Sequence, residues 1–156
     1  MRLDAAEPLR GGDGLRPAPS PQHPLLGRCL CGAVRFEVRA PFASAAYCYC
    51  HRCQRRTGTA RAASARINVD DLEILTGRDL IRAWKPADGM AKNYCGECGG
   101  HLFAGSLDAD FVAIRLGTID GDPGIRPEYR MWVSSAAAWE EIPDDGLPHY
   151  PEGGPA

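Results

Sequence analysis

The chain has 156 residues, 44% hydrophobic and 24% charged, with 18 Lys plus Arg against 20 Asp plus Glu and a formal net charge of −2. That length suits one domain with a modest core, and the balanced charge excludes a chain-wide pull towards nucleic acid or an anionic membrane surface. No run approaches the ~20 apolar residues of a membrane-spanning helix, and Met1 to Arg10 lacks the apolar stretch of a secretory signal, so the expected compartment is the cytoplasm, where thiols stay reduced.

Residues 1–24 read as a disordered tail. Pro8, Pro17, Pro19, Pro21 and Pro24 alternate with Gly11, Gly12 and Gly14, and too few large apolar side chains are present to offset the entropy of ordering. Residues 25–150 form the expected domain, and 151–156 a flexible C-terminus. Within the domain, Ala33 to Arg39 alternates, with Val34, Phe36 and Val38 on one side and Arg35, Glu37 and Arg39 on the other, which is the period of a half-buried strand. Leu72 to Leu75, Leu80 to Trp84, Met90 to Tyr94, Phe111 to Leu116 and Tyr129 to Val133 also fit short strands. Thr76-Gly77 and Asp88-Gly89 supply turns between them. Helical turns are predicted at Val69 to Leu72 and Ser134 to Trp139, and no segment keeps a long helical period. The class is mainly β, and a small loop-rich β domain often needs a staple.

Seven cysteines supply candidates for that staple. An odd number cannot pair completely, and a reducing compartment disfavours pairing at all. Cys29 and Cys31 form C-x-C, Cys48, Cys50 and Cys53 form C-x-C-x-x-C, and Cys95 and Cys98 form C-x-x-C. Such knuckles place two sulfurs on one turn, and Gly96 and Gly99 keep the last one free of Cβ clashes. Four cysteines from the outer pairs would close one zinc site, tying the first strand to a late hairpin. The central triple would leave a second zinc with a vacant fourth position, as a catalytic zinc requires. Two other readings stay open: one four-cysteine zinc with three spare thiols, and redox use of Cys50 and Cys53.

These residues resemble a known family. Cys29-Leu30-Cys31-Gly32-Ala33-Val34, Cys48-Tyr49-Cys50-His51-Arg52-Cys53-Gln54 and Cys95-Gly96-Glu97-Cys98-Gly99 are similar to the glutathione-dependent formaldehyde-activating enzyme family, which includes the centromere protein V group. The resemblance runs from about Gly27 to Trp139 and takes in Asp120, Pro127, Ser134 and Trp139. It implies several coiled antiparallel sheets around a structural zinc, similar to methionine sulfoxide reductase B (a β-tent). It also implies two zinc ions per chain: a structural one on Cys29, Cys31, Cys95 and Cys98, and a working one on Cys48, Cys50 and Cys53. The activity implied is that of a carbon–sulfur lyase that adds a thiol such as glutathione to formaldehyde. Arg130 departs from the family, where a His often stands.

On this reading an incoming thiol ionises at the three-cysteine zinc and attacks a small carbonyl. Arg52, Arg55, Arg56 and Lys92 are candidates to balance charge or to hold glutathione carboxylates, against the alternative of a solvated surface. His51 is a candidate proton relay. His101 is expected in the core or on the surface, and Trp84, Trp132 and Trp139 in the core. The expected partner is a small-molecule thiol, with no nucleic acid and no membrane. The competing class is a binding module in which both metals are structural.

Overall fold

A computed structural model describes residues 17–155. Most of the expected tail, residues 1–16, lies outside the described residues. Of its remainder, Ser20 and His23 pair through two backbone hydrogen bonds.

Two sheets make up the fold. The smaller has three antiparallel strands in the order β1 (Leu25–Arg28), β2 (Arg35–Val38) and β5 (Leu72–Thr76). The alternation read in the sequence places Val34, Phe36 and Val38 in the core, all essentially inaccessible to water. Gly27 faces Phe36 across the β1–β2 pair. A Cβ on Gly27 would fall 2.3 Å from the Phe36 ring, so the ring occupies the space a side chain would take. Gly77, at φ 70°, turns the chain out of β5 where a Cβ would strike the Ala33 carbonyl oxygen at 2.5 Å.

The larger sheet has eight strands in the order β11-β10-β3-β4-β9-β8-β7-β6. These are β3 (Ser44–Cys48), β4 (Ala62–Asn68), β6 (Ile81–Trp84), β7 (Lys92–Cys95), β8 (His101–Ala104), β9 (Phe111–Arg115), β10 (Tyr129–Met131) and β11 (His149–Tyr150). The pairing is antiparallel from β3 to β6. The sheet is mixed rather than wholly antiparallel, because β10 runs parallel to both β3 and β11. One core draws on both sheets, with Leu25, Phe36, Ile67, Leu102, Phe103, Val112 and Ile114 among its members. A second, small cluster gathers Cys48, Cys53 and Ala62 against Cys50 and Met131.

Each predicted strand is present, with ends shifted by a residue or two. The strand expected to run to Val133 stops at Met131, because Trp132 adopts the left-handed conformation at φ 61°. Of the helical turn expected at Ser134 to Trp139 only Ser134 and Ser135 are helical, in a turn over Val133–Ser135, whereas that expected at Val69 to Leu72 forms over Val69–Asp71. Sequence reasoning missed β1, β3, β4, β8 and β11, and also the helix α1 (His51–Thr57). Past the last strand, Trp132 and Ser134 donate backbone hydrogen bonds to the Glu152 and Pro151 carbonyls.

Candidate metal centres and the cavity beside them

The first cysteine cluster sits where the two sheets meet. Cys29 and Cys31 lie in the turn after β1, closed by hydrogen bonds from Cys29 N–H to Val34 O and from Gly32 N–H to Cys29 O. Cys95 ends β7, and the knuckle to Cys98 is closed by Gly99 N–H donating to Cys95 O. Gly99 has a positive φ of 70°. Gly96 does not, and is constrained instead by the Leu80 carbonyl, 3.0 Å from where its Cβ would be. The Sγ atoms of Cys29 and Cys31 are 3.6 Å apart and those of Cys31 and Cys95 are 4.0 Å apart. All four sulfurs lie within 4.8 Å of one another. A tetrahedral zinc with bonds of about 2.3 Å sets its sulfurs roughly 3.8 Å apart, so the constellation fits that ion. The Val34 amide donates to Cys29 Sγ at 3.3 Å, the kind of contact that stabilises a metal-bound thiolate.

The second cluster is built around the start of α1. Cys48 is the last residue of β3, Cys50 is the helix N-cap, and Cys53 lies buried in the first turn. The Cys53 amide donates to Cys50 Sγ at 3.4 Å. Gln54 fixes the helix from behind, its amide donating to Tyr49 O at 2.5 Å and Ser135 O at 2.7 Å. Gly58, at φ 67°, ends the helix. The three sulfurs again lie within 4.8 Å of one another. Hydrogen bonding from Cys48, and then from Cys53, holds the Cys50 thiol far below its ordinary range, while the same contacts push Cys48 far up. Negative charge therefore settles on Cys50, at the helix N-terminus.

The clusters differ in access. Cys48, Cys50 and Cys53 line a cavity of about 520 Å³. The four-cysteine cluster lines neither this cavity nor the second one described below. Arg66, Lys92 and Arg115 stand in the cavity wall with Tyr129, Met131 and Trp132. Arg115 is buried, donates to Ser64 Oγ at 2.6 Å, and keeps its Nε without a partner. Burial lowers the Lys92 ammonium, opposed by the charge of Cys53. Asp88 is the single carboxylate in the wall, and Arg52 already holds it through bonds of 2.5 Å to Oδ1 and 2.9 Å to its carbonyl oxygen.

The predicted residues separate accordingly. His51 and Arg52 border this cavity, Arg55 and Arg56 do not, and Lys92 borders both cavities. Burial, then Arg56 and Arg115, depress His101 to about 4, so it is neutral at physiological pH. The three tryptophans are not core residues as expected. Trp84 is 52% exposed, Trp132 37% and Trp139 71%, and Trp132 stands in the cavity wall. Sequence reasoning missed Arg66, Arg115, Tyr129 and Met131. The signal for the last two is the alternation of β10, which turns Tyr129 and Met131 to the cavity and Arg130 to the opposite face.

Arg130 is 2% exposed, makes paired 2.7 Å bonds to both Asp145 carboxylate oxygens, and lies over the Tyr47 ring. It does not line the cavity.

Fold and site together define a small, mainly β protein with two cysteine clusters able to hold metal ions, one where the two sheets meet and one opening on a cationic cavity. The model of the glutathione-dependent formaldehyde-activating enzyme family matches residues 24–135, well over half the chain, and the protein belongs to that family. The match begins at the first strand and ends past Trp132. A solved structure of a Rhodobacter sphaeroides protein is similar in fold, with a TM-score of 0.53 and 22% identity over 80% of this chain and 98% of that one. Among the described residues no helix is long and apolar enough to cross a membrane.

Proposed function

We propose that this protein is a zinc-dependent, carbon–sulfur lyase-type enzyme that binds a thiol such as glutathione at the three-cysteine cluster and adds it to a small carbonyl such as formaldehyde. The observation that carries this reading is the unequal setting of the two clusters: the three-cysteine group opens on a cavity walled by cations. Cys48, Cys50 and Cys53 would hold the working zinc, and Cys29, Cys31, Cys95 and Cys98 a structural one. A zinc held by these three cysteines would supply a further position for a thiol and would lower that thiol's pKa.

The chain's own residues supply the rest. Lys92 and Arg115 have no carboxylate partner among the described residues and face the cavity, where they attract the carboxylates of a thiol such as glutathione. Met131, Ala46, Ala104 and Ala113 give the cavity apolar surface that limits water near the carbonyl. A sulfur–carbon bond forms as the carbonyl π bond opens, and the proton lost by the thiol ends on the former carbonyl oxygen. His51, exposed at the cavity, relays that proton. No electrons are gained or lost overall. The proposal includes a methionine-sulfoxide-reductase-B-like arrangement, supported by two sheets meeting at the four-cysteine cluster, and work in the reducing cytoplasm, supported by seven unpaired cysteines.

Exchange spectroscopy by NMR on formaldehyde and glutathione tests the reaction. The expected result is adduct formation faster than the spontaneous rate, lost in Cys50→Ser. A fully zinc-loaded protein that gives no acceleration overturns the formaldehyde reaction and favours a non-catalytic binding domain.

A further inference from the structure

A second cavity, of about 790 Å³, lies on the far side of the Arg52–Asp88 pair. Its floor is one face of the large sheet. Trp84 of β6 stands directly opposite Lys92 of β7, and Tyr94 of β7 directly opposite His101 of β8. Residues opposite one another share a face, and Lys92 and Tyr94, two apart, share theirs while Asn93 and Cys95 turn into the core. The floor therefore presents two aromatic rings, one ammonium and one imidazole to the same space. The other wall is α1, which contributes Arg55 and Arg56 from its last turn.

Charge and shape single this cavity out. Arg52, Arg55, Arg56 and Lys92 line it against the lone carboxylate of Asp88, in a protein whose formal net charge is −2. Asp88 is held by Arg52, and Arg55 has no ion pair among the described residues. Arg56 donates one Nη to Asn93 O at 2.5 Å and keeps its other Nη buried without a hydrogen-bond partner. Trp84 leaves 52% of its surface exposed and stacks on no other aromatic ring among the described residues. An exposed indole beside unpaired cations matches a ligand that is flat and apolar on one side and anionic at one end.

We propose that this second cavity binds an aromatic anion, its ring against Trp84 and Tyr94 and its carboxylate or phosphate on Arg55, Arg56 and Lys92. The site shares Lys92 and the Arg52–Asp88 pair with the wall of the first cavity but includes none of its cysteines, and it stands whether or not the carbonyl addition does. His101, neutral, offers one further hydrogen bond to the anion.

The test titrates the full-length, zinc-loaded protein with 2-naphthoate, 2-naphthyl phosphate and neutral 2-naphthylmethanol, following the three indole N–H signals by NMR. Trp84→Phe assigns its own signal. Saturable binding of at least one anion, about tenfold or more tighter than the alcohol, is expected, with the largest shift at Trp84. The anion that binds tells carboxylate from phosphate as the preferred head group. Trp84→Ala and Arg55→Ala, both at exposed positions, are expected to weaken binding at least about fivefold with zinc content unchanged. Failure of both anions to bind, equal binding of the alcohol, shifts confined to Trp132 of the first cavity, or indifference to both substitutions would overturn the proposal.

Discussion

Cys31 and Cys95 stand 64 residues apart in sequence and bring their sulfurs to 4.0 Å. Between them the chain builds β2 to β7, so a metal on this cluster fastens the small sheet to the large one. Binding energy at such a site is folding energy. Cys95→Ser is therefore expected to cost at least about 3 kcal/mol, a fall in Tm of roughly 6–12 °C for a chain of this size. Cys48→Ser, which touches the open cluster, is expected to cost less. Thermal unfolding of the two variants side by side checks the order.

Gly27 and Phe36 give a second, metal-independent prediction. A methyl group on Gly27 would sit 2.3 Å from a ring that is 1% exposed, and the core leaves that ring little room to retreat. Gly27→Ala is expected to destabilise the fold by about 1–3 kcal/mol through overpacking. Denaturant titration, with an unchanged m-value, checks it.

The reach of the sequence can be judged from these elements. β2 was legible because its inner face is buried and its outer face polar, giving the period of two. β3 and β4 were not, because Ala45, Ala46, Ala62 and Ala65 are buried and too small to write a pattern. α1 was invisible for another reason: Cys53 is its one buried residue, and the helix is positioned by a cysteine cap and by Gln54 rather than by an apolar stripe. The grouping of the cysteines was legible from their spacing and order. The cations of the cavity were not all found, since Arg66 and Arg115 lie on strands far from any cysteine in sequence and meet the cluster through sheet pairing alone.

Arg130 faces away from the cavity and holds Asp145 with both arms. Arg130→Met is expected to lower Tm by several degrees, since it removes a buried, doubly bonded guanidinium, and to leave the rate of any thiol–carbonyl addition within about twofold. Parallel melting and adduct assays separate the two effects. A large loss of rate at unchanged Tm would place Arg130 in the chemistry after all.

His101 carries a pH prediction. Burial and neighbouring cations lower it to about 4 in the folded protein, whereas the unfolded chain takes up a proton near 6.5. Between those values the unfolded state binds more protons, so stability contributed by neutral His101 is present above about 6.5 and is lost as pH falls towards 4. His101→Asn is expected to flatten the part of the acid-side decline that the wild type shows in this window. Comparing the two proteins cancels the acid sensitivity that both share through their thiolates.

The most direct measurement of the central claim, two unequal metal sites, is the zinc content of freshly purified wild type and Cys50→Ser. The account predicts two zinc ions per wild-type chain and one per folded Cys50→Ser chain, the survivor resisting chelators until the protein unfolds. One zinc in the wild type, or two in the variant, would contradict it.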